Sequence, residues 1–174
     1  VHDLLDVEKI HSGTFALSPC PTNLSLLCTD AVSLTGDLAA ASGITVETSA
    51  ADVTVNLDRD RIVSILGTLL ENLINYSEAK NISLEADVNE DKIRFAVCCQ
   101  TTSADPSLES DMIFERFFKE ATTRTQDSIF LHIARDILKQ HKGFCSCESD
   151  VRSPDAKAVP EDEAERLRRL TYVI

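Results

Sequence analysis

Asp58-Arg-Asp-Arg-Ile-Val-Ser-Ile-Leu-Gly-Thr-Leu-Leu-Glu-Asn-Leu-Ile-Asn-Tyr-Ser77 decides how the rest of this chain is read. Ile62, Ile65, Leu66, Leu69, Leu70 and Leu73 recur at helical spacing and make one wide apolar face, and Asp58 has the side chain of an N-cap. Beside that face Thr68, Asn72 and Asn75 form a polar stripe with i, i+4, i+7 spacing. Asn72 adjoins Leu69 and Leu73, where an unpartnered amide costs roughly 1–3 kcal/mol. A hydrogen-bond partner is therefore expected for it, and a backbone group would serve as well as a metal-bound water.

Outward from this helix the pattern alternates. On its N-terminal side, Val53–Leu57 and Ile44–Thr48 predict short strands. Before them, apolar residues at 24, 27, 28, 31, 34, 38 and 41 predict one helix from Asn23 to Ser42, with Gly43 as its C′ residue. Thr14–Ser18 predicts a further strand that Pro19 and Pro21 end, and Leu4, Leu5, Val7 and Ile10 predict the last turns of an amphipathic helix stopped at Ser12-Gly13.

On the C-terminal side, Ile82–Val88 and Ile93–Cys99 predict two strands joined through Asn89-Glu-Asp-Lys92. Residues 100–127 are polar apart from Met112-Ile-Phe-Glu-Arg-Phe-Phe118, an apolar knot that reads as core packing. Then come a helix over Ile129–Gln140, a strand over Phe144–Cys147, a loop over Asp150–Pro160, a short surface helix over Glu161–Leu167 and a closing strand over Leu170–Ile174.

The chain has 174 residues, 43% of them hydrophobic, with only five Gly and five Pro. That suffices for one domain with a full core. A formal charge of −12 argues against nucleic-acid binding and against an anionic membrane surface, both of which need positive patches. With no apolar run long enough to span a bilayer and no leader pattern, the expectation is a cytoplasmic protein or fragment without membrane contact by this segment. Cys20, Cys28, Cys98, Cys99, Cys145 and Cys147 include no C-x-x-C and read as small core hydrophobes rather than a disulfide or metal set. No Ser-His-Asp arrangement, P-loop or paired catalytic carboxylates emerges, so no catalytic residue and no metal ligand is assigned.

Five segments in order resemble the ATP-binding domain of histidine kinases. Val1-His-Asp-Leu-Leu-Asp-Val-Glu-Lys-Ile-His-Ser-Gly13 is similar to the end of that family's dimerisation helix, and Asp58-Arg-Asp-Arg-Ile62 to its D-x-x-R-[IL]. Leu69-Leu-Glu-Asn-Leu-Ile-Asn-Tyr-Ser77 resembles the N box, and Ile113-Phe-Glu-Arg-Phe-Phe118 the F box. Ser128-Ile-Phe-Leu-His-Ile-Ala-Arg-Asp-Ile-Leu-Lys-Gln-His-Lys-Gly143 resembles the phosphate-binding helix, with Leu131, Ile133, Ile137, His141 and Gly143 in register.

The resemblance implies a two-layer α/β sandwich, a mixed sheet of about five strands with helices on one face, of the kind shared with gyrase and Hsp90. It divides the chain into a dimerisation-type helix end at 1–13 and an ATPase-like domain at 14–174, with an insertion around 150–168 before the closing strand 170–174. It implies that Asn72, which corresponds to the magnesium-coordinating asparagine, Asn75, in the place of a phosphate-contacting lysine, and Tyr76, which keeps the pocket-lining aromatic, are the remnant of a nucleotide pocket.

The departures fall on the chemistry. The family's earlier box asparagine is Thr68 here, and its adenine-holding aspartate falls on Cys99. Its glycines fall on Thr101, Ser103, Ser128 and Phe130. Losing that carboxylate removes a charge-assisted hydrogen bond, and Phe130 puts bulk where only backbone fits.

The expectation is accordingly a non-catalytic, kinase-like signalling module with no cofactor. It would work through a protein partner: a kinase, a receiver domain or its own dimerisation helices. The isolated domain would be monomeric. A divergent domain that binds Mg-ATP and passes phosphate to a histidine on an upstream helix is the alternative. A histidine phosphotransferase-like adaptor is a further one, but His2 and His11 are not set in a phosphoacceptor box.

Overall fold

The computed structural model describes residues 16–76, 79–90, 92–101, 137–143, 146–152 and 167–173. Two sheets are present among them. A two-stranded antiparallel ribbon pairs β1 (Cys20–Asn23) with β3 (Thr54–Leu57). A five-stranded mixed sheet has the order β2-β4-β5-β7-β6, built from β2 (Thr45–Ala50), β4 (Asn81–Asn89), β5 (Lys92–Thr101), β6 (Ser146–Arg152) and β7 (Leu167–Val173). β2 runs parallel to β4, which requires a crossover, and the chain supplies it with α3 (Arg59–Tyr76); every other neighbouring pair is antiparallel. The expected α/β sandwich is the observed one.

Alternation explains which face of the sheet meets the helices. Ile82, Leu84 and Ala86 of β4 and Phe95, Val97 and Cys99 of β5 join one core cluster with residues of the described helices. Between them, Ser83, Glu85, Asp87 and Arg94 are only half-buried. Asp87 and Arg94 are register partners, and Arg94 Nη1 lies 3.2 Å from Asp87 Oδ2. Asn89 pairs with Lys92, so the hairpin is turned by two residues, the first of which, Glu90, has φ 55°.

The long helix expected over 23–42 is two helices, α1 (Leu24–Leu34) and α2 (Gly36–Ser42), bent by 55°. Thr35 causes the break: its N–H and its hydroxyl both donate to Val32 O, at 3.0 and 3.1 Å, which closes α1. Periodicity runs through the bend because α1 and α2 bury the same side, including Leu24, Leu27, Cys28, Ala31 and Ala39. Asn23 caps α1 by accepting the Leu26 N–H at 3.0 Å, and its Nδ2 donates to Asp52 Oδ1 at 2.7 Å. Gly43 ends α2 at φ 67°, a left-handed position that suits glycine. Among the described residues no single helix is long and apolar enough to cross a membrane.

Three strand expectations are corrected. Residues 16–18 carry no regular structure, and the first described strand starts after Pro19, with Pro21 inside it opposite Asn56. A proline is tolerated there because each strand of a two-stranded ribbon has one unpaired edge. β6 reaches Arg152 where a loop was expected from Asp150, since pairing along β7 sets its length and places Asp150 opposite Arg169. β7 begins at Leu167 rather than Leu170. The helix end at 1–13, the knot at 113–118, the helix before residue 137 and the surface helix over 161–166 lie outside the described residues.

Candidate functional site

α3 is the spine of the site. Ile62, Ile65, Leu66, Leu69, Leu70, Leu73 and Ile74 are all buried, as an amphipathic helix lying on a sheet requires. Asn72 goes into the core with them at 6% exposure. Its Nδ2 is buried and meets no acceptor, contrary to the partner expected from the sequence. Thr68, one turn earlier, is half-buried, and Asn75, three residues later, is exposed. Tyr76 is the last residue of α3, four positions from Asn72, so 68, 72, 75 and 76 share one side of the helix by spacing.

Across the sheet, Cys99 is 3% exposed and sits in the apolar cluster, in register with Ile82 of β4. The place that the histidine-kinase resemblance assigns to an adenine-binding carboxylate is therefore held by a thiol packed among aliphatic side chains. Cys98, its neighbour, is also buried. Cys28 is fully buried on α1, and burial pushes its thiol up to about 11. Cys20 departs from the core reading: it is exposed on β1, with Sγ 3.5 Å from Thr22 Oγ1. Cys20, Cys28, Cys98 and Cys99 carry thiols rather than disulfides. No group of three or more His, Cys, Asp or Glu among the described residues could hold a metal ion.

A second polar junction sits at the head of α3. Asp58 caps the helix, with Oδ1 accepting the Arg61 N–H at 3.3 Å, while Oδ2 accepts the Ser18 N–H at 2.8 Å. The backbone N–H of Asp58 donates to Nε2 of His141, 83 residues away, at 3.2 Å. His141 follows the helical residues 137–140, and its Nδ1 lies 3.0 Å from Ile137 O. From the sequence, Asp58 was legible as a cap and His141 only as a residue in register. No local signal could have joined them.

The chain is similar in sequence and shape to proteins of one kind. A sequence model of the family described as "Histidine kinase-, DNA gyrase B-, and HSP90-like ATPase" matches residues 57–161. The sensor histidine kinase MtrB of Mycolicibacterium paratuberculosis is 28% identical over 149 residues, covering 82% of this chain and 26% of MtrB. This chain thus spans about a quarter of the length of that relative. Among solved structures, full-length ShkA in complex with AMPPNP superposes with a TM-score of 0.73 at 18% identity, over 99% of this chain and 34% of ShkA. Histidine kinase ThkA in complex with the response regulator TrrA gives a TM-score of 0.60 at 19% identity, over 98% of this chain and 46% of the matched one.

Proposed function

The chain belongs to the histidine kinase-, DNA gyrase B- and HSP90-like ATPase family, and on that premise we propose that it is a non-catalytic member, a kinase-like domain that works in two-component signalling through protein contacts. One observation carries the reading: Cys99, at 3% exposure in the apolar cluster, stands where the resemblance calls for the carboxylate that holds adenine. A thiol is a weak hydrogen-bond partner, and an aspartate in that cluster would itself be costly to ionise. Thr101, Ser103, Ser128 and Phe130 in place of the glycines add to it. These residues do not fit Mg-ATP held in the family's manner, and no cofactor is assigned. ThkA, solved with a response regulator, suggests the class of partner: a receiver domain, ahead of a second kinase or the domain's own dimerisation helices.

Calorimetric titration of the purified chain with ADP and ATP, with and without magnesium, tests the proposal. Silence up to millimolar nucleotide is the expected result. Micromolar, magnesium-dependent binding would overturn it.

A second reading, a divergent domain that still binds nucleotide, has the buried amide of Asn72 in its favour. An unmet donor inside a core is the kind of feature that a ligand-binding site retains. It requires Asn72→Asp to change nucleotide affinity while the far-ultraviolet circular dichroism stays the same. An unchanged affinity eliminates it.

A further inference from the structure

We propose that His141 is a proton-sensitive clamp, closed while its ring is neutral and opened when the ring is protonated, that ties the end of the 137–140 helix to the head of α3. Both ring nitrogens are engaged, and their partners dictate one protonation state. Ile137 O, 3.0 Å from Nδ1, has no hydrogen to give, so Nδ1 carries the proton and donates it. Nε2 must then keep its lone pair, because the Asp58 N–H, 3.2 Å away, has only a hydrogen to offer. The two bonds coexist in a single neutral tautomer. A second proton on the ring turns Nε2–H toward the Asp58 N–H, donor against donor, and that bond is lost.

Asp58 is the N-cap, so its own N–H stands outside the α3 ladder. Its carboxylate oxygens accept the Ser18 and Arg61 N–H groups, which hold that acid against the start of α3. The charged groups on the described segments that meet here are Asp58, Arg59, Asp60 and Arg61 at the start of α3, and Lys139 and Lys142, which flank His141 in sequence; residues 16–19 bring none. Arg59 is turned to Asp30 and Asp60.

Position makes the clamp consequential. It links α3, which carries Asn72, to the described end of the segment that resembles the family's phosphate-binding helix. Acidification would uncouple the two whether or not nucleotide binds, so the inference stands apart from the proposed function.

The test is amide hydrogen exchange of the whole chain by NMR near pH 7.5 and near pH 5.5, the range where histidine changes charge, with rates normalised to the intrinsic rate at each pH. Protection of the Asp58 amide is expected to fall on acidification, approaching about tenfold per pH unit once the ring is charged. In His141→Gln a neutral amide oxygen can accept the same N–H without titrating, and protection should hold at both pH values. Equal protection at both pH values in the wild type, or an equal fall in the variant, overturns the clamp. Should the variant fail to fold, the ring nitrogens of the wild type decide it. A protonated Nδ1 with a bare Nε2 at neutral pH supports the clamp, and the opposite tautomer or a charged ring overturns it.

Discussion

Asn72 and Cys28 show how single buried polar groups leave measurable traces. Asn72 Nδ2 has no acceptor in the core of α3. Removing a donor that is already unmet recovers its desolvation cost, so Asn72→Leu should leave stability unchanged or raise it, by up to about 1–3 kcal/mol in urea denaturation. A clear loss of stability would mean that the amide is satisfied in solution. Cys28 is raised by burial to about 11. The thiol binds its proton more tightly when folded than when unfolded. Its contribution to stability is therefore complete below the unfolded thiol range and lost as pH rises toward about 11. Denaturation midpoints measured from neutral to strongly alkaline pH should fall in the wild type, and fall less in Cys28→Ala measured against its own neutral baseline.

At the level of elements, the helix ends are where local chemistry and fold disagree. The helix through 137–140 ends in a paired motif: Gly143 N–H donates to Leu138 O at 2.8 Å and Lys142 N–H to Lys139 O at 2.9 Å. The left-handed residue of that motif is Lys142, at φ 61°, where glycine is the usual choice. A side chain there costs about 1–2 kcal/mol, partly offset by the greater freedom of glycine in the unfolded chain. Lys142→Gly should raise stability by about 0.5–1 kcal/mol, read as a shift in denaturation midpoint with unchanged slope. By contrast, α3 and its Asp58 cap were legible in the sequence, as was the β4–β5 hairpin, because cap, periodicity and turn all lie within a short window. The break at Thr35 was not, since both halves bury the same side and the apolar spacing runs through it.

For the molecule as a whole, the sheet is closed by its last strand. β7 lies between β5 and β6, and pairs with both: Cys98 stands opposite Thr171, and Glu148 opposite the same Thr171. Removing residues 167–174 would strip two ladders at once and leave β6 without a neighbour among the described strands. The truncated chain should lose the single cooperative thermal transition, followed by circular dichroism, that is expected of the whole chain. A retained sharp transition would show that β1–β6 suffice.

The sequence by itself determined which side of α3 is buried, where it starts, how β4 turns into β5, and that five segments resemble one family in order. Each of these is written in local spacing or in a run of matched residues. Only the tertiary structure decided that Asn72 lies in the core with an unmet donor, that Cys99 packs among aliphatic side chains while Cys20 is exposed, and that His141 meets Asp58. Burial of one polar atom and contact across 83 residues depend on how the helices settle on the sheet, which no window of sequence contains.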